Sequence, residues 1–324
     1  MQAIRSQHAG VLKGEVLALI YMGAIAFSAR RTGFSLLLFP ELAALSHDVF
    51  TRPRGKWASQ PWQLVLTPTI TAFFGLFVVR HTDFNALALA LIVVVSLLTI
   101  KLLKSTIAPT ISAGVLPMVL TERSWIYPVC IFVGLSILVF VLLVWKRYAP
   151  RAQNFSHKEE LDSKVIDDLE ALPHDRLWSA ALLVFVLILA ALAQVTGLFF
   201  LIFPPLIVVV YEILGHPEVP NWMERPILFP LISFLTAAVG LVFFRVFDAG
   251  FVGVIVTMLC SIAVLKIFKV HMPPALGSGN TTVRYEGLEL PVPDIGIDGN
   301  NRTHVVLLGL QPTAGNRMAE TISL

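Results

Sequence analysis

The chain has 324 residues, 56% of them hydrophobic and only 14% charged, with a net charge of +3 and a mean hydropathy of +0.78. A soluble domain carries about 25% charged residues, so this composition excludes a soluble globular protein and points to a polytopic protein whose first partner is the lipid bilayer. The small net charge gives no reason to expect nucleic acid as a partner.

Residues 1–15 are a polar lead with no convincing small-residue cleavage site, so the first apolar run is expected to stay as a helix. Val16–Ala29 is apolar and stops at Arg30-Arg31, and Gly33–Ser46 is apolar but broken at Phe39-Pro40. Both fall short of the ~20 residues of a perpendicular crossing, so each reads as tilted, extended or re-entrant. His47–Pro61, which contains Arg52, Arg54 and Lys56, reads as a polar loop. Trp62–Val79 and Phe84–Ile100 are spans around a tight turn at Arg80–Asp83. Thr106–Leu120 is interrupted by Pro109, Gly114 and Pro117 and suits a half-helix or re-entrant segment. Ser124–Trp145 is an uncharged span, with Trp125 and Tyr127 at one end and Trp145 and Tyr148 at the other, where interfacial aromatics belong.

Residues 146–176 form a linker of mixed charge, with a short surface helix expected over Leu161–Leu172. Leu177–Leu214 holds one charged residue, Glu212. At about 1.5 Å per residue it is too long for one crossing; it is expected to fold near Thr196-Gly197 and break again at Pro204-Pro205. Pro226–Phe244 and Ala249–Leu265 are further spans. Residues 280–324 are a polar tail in which Val283–Leu290 and His304–Leu310 have strand character. Cys130 and Cys260 both sit in apolar runs and read as small core residues.

The same text occurs twice. Thr32-Gly33-x-x-x-Leu37-x-Phe39-Pro40-x-Leu42 matches Thr196-Gly197-x-x-x-Leu201-x-Phe203-Pro204-x-Leu206 at an offset of 164. At an offset of 165, Thr71, Gly75, Arg80, Asp83, Ser96, Lys101, Lys104 and Pro109 match Thr236, Gly240, Arg245, Asp248, Ser261, Lys266, Lys269 and Pro274. Apolar composition alone would not align Arg-x-x-Asp and Lys-x-x-Lys in one register. The expected organisation is therefore a lead (1–15), a first membrane repeat with a closing helix (16–145), the linker (146–176), a second membrane repeat (177–279) and the tail (280–324). If Thr106–Leu120 crosses the membrane, the two repeats run parallel. The bias of Lys and Arg then places the linker and the tail in the cytoplasm.

Each repeat ends a long apolar run in Lys-x-x-Lys followed by proline and small residues. Lys101 and Lys104 share a helix face, as do Lys266 and Lys269. Pro109, Pro273 and Pro274 break the helix, and the half-helix that follows offers backbone N–H groups to an anion. His271 stands ready as a proton or anion partner. These eight residues are the candidate substrate site. The competing reading makes the lysines anchors that reach for lipid headgroups. Arg80/Asp83 and Arg245/Asp248 read as local ion pairs or turn caps. Glu15, Glu41, Asp48 and Glu212 lie in or near apolar segments, where buried acids would suggest proton coupling; Glu41 aligns with Pro205, which weakens a symmetric role for it. No nucleophile triad, phosphate loop or His/Cys/Asp metal spacing stands out; no enzyme, cofactor or metal is expected.

The residues around these motifs resemble the HPP family of integral membrane proteins. Its signature is His-Pro-Pro and small residues after a transmembrane helix. The matching pieces are Leu102–Gly114, the Trp125-containing span, Phe268–Leu276 and the Arg52-Pro53-Arg54-Gly55 loop. Ile107-Ala108-Pro109 replaces His-Pro-Pro in the first copy, and Met272 separates His271 from the prolines in the second. The resemblance implies nitrite transport, which agrees with a lysine-lined anion path.

The expected fold is an all-α, polytopic transmembrane helical bundle built from two sequence repeats with broken or re-entrant helices. The expected function is a multi-pass cell-membrane transporter or permease for a small anionic solute, nitrite-like, with its path at the repeat interface and homo-oligomers open to it. The alternative is a membrane scaffold or sensor whose linker and tail bind a soluble partner.

Overall fold

A computed structural model describes residues 2–148, 166–168, 170–173, 177–216, 227–247 and 250–285. It contains helices α1 (Gln2–Thr32), α2 (Glu41–Thr51), α3 (Lys56–Ser59), α4 (Pro61–His81), α5 (Ala86–Leu102), α6 (Thr110–Val119) and α7 (Ile126–Tyr148). After the linker come α8 (Leu177–Thr196), α9 (Pro204–Gly215), α10 (Leu228–Phe247), α11 (Phe251–Phe268) and α12 (Pro273–Tyr285). No strand occurs among the described residues. Val283–Tyr285, which read as strand-like, close helix α12 instead; His304–Leu310 and most of Leu161–Leu172 lie outside the described residues.

Among the described residues, six helices are long and apolar enough to cross a membrane: Gly10–Thr32 of α1, and α4, α7, α8, α10 and α11. Helices α2, α6, α9 and α12 are short, at 11, 10, 12 and 13 residues. Prolines set where each begins: Pro40, Pro109, Pro204-Pro205 and Pro273-Pro274 stand at or just before the first turn, where a missing N–H costs nothing. Described residues of these four helices are largely buried. They pack crosswise, α2 on α12 and α9 on both α6 and α12, while outside them α1 lies on α11 and α8 on α5. Helix α12 is central: a Cβ on Gly277 would lie 3.7 Å from the Pro40 carbonyl and 3.8 Å from the Pro205 ring, beside the starts of both α2 and α9.

Contacts between helix ends divide the bundle into two faces. On the first, Lys266 at the end of α11 meets Glu15 near the start of the α1 span at 2.5 Å. The Trp57 indole N–H, ahead of α4, donates to the Thr106 carbonyl after α5 at 2.9 Å. Trp145, near the end of α7, donates to the Phe50 carbonyl of α2 at 3.0 Å. On the second face, Arg123 pairs with Asp83 at 2.9 Å, and Arg80 donates to the Arg123 carbonyl and lies over the Trp125 ring. The turn residues Arg80 and Asp83 are thus joined through Arg123 rather than to each other; Asp248 lies outside the described residues. Because α6 begins at the first face and Arg123 stands at the second, α6 crosses. Helix α8 consequently starts on the same face as α1. Helix α12, like α6, starts at the first face and runs away from it. The Thr106–Leu120 segment therefore runs from the first face of the bundle towards the second.

Close approaches recur at the offset of 165. A Cβ on Gly75 would overlap the carbonyl of Gly114, and one on Gly240 the carbonyl of Gly279. Small residues let α4 meet α6, and α10 meet α12, at backbone distance. Left-handed residues recur too: Gly33 (φ 73°) with Gly197 (φ 72°), and Lys104 (φ 48°) with Lys269 (φ 54°).

Candidate functional site

The second lysine of each Lys-x-x-Lys pair has a backbone task. Ser105 N–H donates to Ile100 O at 2.9 Å, and Val270 N–H to Leu265 O at 3.1 Å. These six-to-one bonds end α5 and α11 in Schellman turns, which demand a left-handed residue that is normally glycine. Lys104 and Lys269 supply it at a cost of about 1–2 kcal/mol. Lys101, Lys104, Lys266 and Lys269 are all exposed, and Lys266 is the one paired with Glu15. Pro109, Pro273 and Pro274 are buried at the starts of α6 and α12. Among the candidate residues, His271 is the one that reaches a cluster of other charged groups.

That cluster is where the stretch read as a polar loop differs from expectation. Helix α2 runs through His47 and Asp48 to Thr51, because Asp48 has charged partners in the interior. Asp48 is fully buried and its Oδ1 receives Arg52 at 3.2 Å, one helical turn away. Arg52 also reaches the linker, bonding Glu170 Oε1 at 2.5 Å and Asp167. His271 Nε2 lies 3.5 Å from Asp48 Oδ1 and 4.0 Å from Glu170 Oε1. Burial, and then the charge of Asp48, push the Glu170 carboxyl up to about 9 against the pull of Arg52. The site therefore joins α2, the linker and the approach to α12 at the first face.

A related arrangement stands in the second half. Glu212, buried in α9, occupies the position of Asp48 at the offset of 164, and His216 that of Arg52. His216 Nε2 is 3.1 Å from the Ala171 carbonyl, so both halves grip the short segment around residues 170–171. The spacing Asp-x-x-x-Arg against Glu-x-x-x-His is visible in the sequence; it goes unread when residues 47–61 are taken as a loop and only identical residues are aligned.

Deeper in the bundle, buried hydroxyls line the short helices. Thr110 Oγ1 and Ser112 Oγ on α6, Thr67 Oγ1 on α4, and Thr257 Oγ1 and Ser261 Oγ on α11 are buried and have no hydrogen-bond partner within the protein. Thr110 and Ser112 stand in the first turn of the buried α6, where such groups can bind a small polar solute that has shed its water. Cys130 is buried and Cys260 partly so; both are free thiols.

Comparison with curated proteins and with solved structures finds no match. Residues 4–154, from α1 to just beyond α7, match the family model for the HPP transmembrane region. This first half, with its short α2 and α6 among the longer spans, is therefore similar to the transmembrane region of the HPP family of integral membrane proteins.

Proposed function

We propose that the protein is a permease for a small anionic solute of the nitrite class, built from two parallel repeats with its path at their interface. One observation carries this reading: four short, proline-started helices, two from each half, pack crosswise in the interior. Paired interrupted helices in corresponding positions of two halves are the arrangement expected around a membrane solute site. Their N-termini favour negative charge, and the buried hydroxyls of Thr110, Ser112 and Ser261 offer donors. Glu41, buried in the first turn of α2, adds an acid next to this region and fits cotransport of a proton with the anion. Lys101, Lys104, Lys266 and Lys269 then act at the mouth, raising the local anion concentration, rather than at the site itself. The bias of Lys and Arg towards the first face supports a cytoplasmic position for that face and the linker.

The scaffold reading has its own support, because exposed lysines suit headgroup anchoring and the linker is held by Arg52 and His216. Uptake of nitrite and nitrate into proteoliposomes separates the two. Wild-type protein is expected to carry one or both anions above protein-free vesicles, and Lys101→Gln/Lys266→Gln to reduce uptake without abolishing it. Correctly inserted protein that carries no small anion would favour the scaffold.

A further inference from the structure

We propose that Asp48, Glu170 and His271 form a binding site for a divalent transition-metal ion of the zinc class. The three residues are far apart in sequence and are brought together by the end of α2, the linker and the turn that leads into α12. One ligand atom from each lies within 4.8 Å of the other two. An ion with tetrahedral ligands at about 2.1 Å sets its donor atoms about 3.4 Å apart, and His271 Nε2 stands 3.5 Å from Asp48 Oδ1 and 4.0 Å from Glu170 Oε1. These separations are long for hydrogen bonds, and the second oxygen of each carboxylate, Oδ2 of Asp48 and Oε2 of Glu170, is the one left open to an ion.

A second observation is independent of the spacing. Asp48 Oδ2, Glu170 Oε2 and His271 Nε2 are buried and have no hydrogen-bond partner within the protein. With Glu170 ionised, as a bound cation would hold it, the carboxylate oxygens can only accept, and a neutral imidazole accepts through the nitrogen that carries no proton. Three acceptors without a donor form a cation site, since a buried acceptor left unsatisfied costs about 1–3 kcal/mol. Charge gives the same answer. Asp48, Asp167 and Glu170 surround one guanidinium, that of Arg52; when all are ionised, two negative charges remain, the charge of one divalent ion. Arg52 holds Oδ1 of Asp48 and Oε1 of Glu170 and fixes both carboxylates. Mixed imidazole and carboxylate ligands favour zinc or manganese over magnesium, which prefers oxygen alone. The bound ion would tie the linker to both halves at the first face.

The test uses the full chain, purified in detergent with any affinity tag removed and stripped with a chelator. Zn2+ is titrated calorimetrically, and retained metal is measured after desalting. Wild type is expected to keep one Zn2+ per chain, with a raised unfolding midpoint, and to bind Mg2+ at least about ten-fold more weakly. His271→Ala removes a partly exposed ligand that supports no helix and is expected to weaken Zn2+ at least about ten-fold, the scale of loss seen even for outer-shell partners. Glu170→Gln serves as the second variant, because Asp48→Asn also disturbs Arg52. Wild type that retains no zinc, or His271→Ala and Glu170→Gln proteins that both retain it as wild type does, would overturn the proposal.

Discussion

Arg52 holds more of the described interior charge than any other residue, because it alone contacts Asp48, Asp167 and Glu170. Its removal leaves two buried carboxylates without their cation. Arg52→Ala is expected to cost about 3–5 kcal/mol, and Arg52→Lys to recover only part of that, since an ammonium cannot fork between two acids. Denaturation in detergent checks both. The left-handed lysines predict the opposite sign. Lys104→Gly and Lys269→Gly remove a strained φ and are expected to raise stability by about 1 kcal/mol each. Lys101→Gly, within α5, should lower it by a similar amount. Equal destabilisation at all three positions would contradict the Schellman assignment. The repeated lysines were plain in the sequence, but their backbone role was not, since glycine is the usual mark of a left-handed helix end. The acid–base cluster was hidden for a different reason. Polar residues in a row look like a loop until Glu170, 118 positions from Arg52, is seen to hold them inside.

Among the elements, the crossings of α4 with α6 and of α10 with α12 depend on having no side chain at Gly75, Gly114, Gly240 and Gly279. Gly75→Ala or Gly240→Ala forces the two backbones apart and is expected to destabilise by about 1–3 kcal/mol. Thermal unfolding of the single variants and the double variant measures this, and near-additive losses would match two separate crossings. Helix positions were largely legible, because proline and apolar length govern them. Trp62–Val79 became α4, Thr106–Leu120 became α6, and the fold at Thr196-Gly197 stands where α8 ends. The extent of α1 and α2 was not legible. Glu15 is buried beside Lys266, and Asp48 beside Arg52, so both charges lie inside helices that hydropathy alone would end earlier.

For the whole molecule, the direction of α6 decides the relation of the halves. With α6 crossing, single cysteines in place of Lys56 and Asp83 are expected to be labelled from opposite sides of sealed vesicles. Labelling from one side would make α6 re-entrant and the halves inverted. The packing itself, α2 against α12 and α9 against α6, could not be read from the chain, since short helices with few polar marks do not reveal their neighbours. It makes the centre of the bundle a joint product of both halves and places Gly277 where the starts of α2 and α9 meet. A Cβ there fits at ordinary contact distance, while a longer side chain fills the space between them. Nitrite uptake by proteoliposomes carrying Gly277→Ala or Gly277→Leu therefore probes the proposed path directly. Near wild-type uptake for alanine, with at least a ten-fold loss for a folded leucine variant (about 1.4 kcal/mol as a barrier), is the expected result. Undiminished uptake through Gly277→Leu would place the path elsewhere and contradict a route between the two halves.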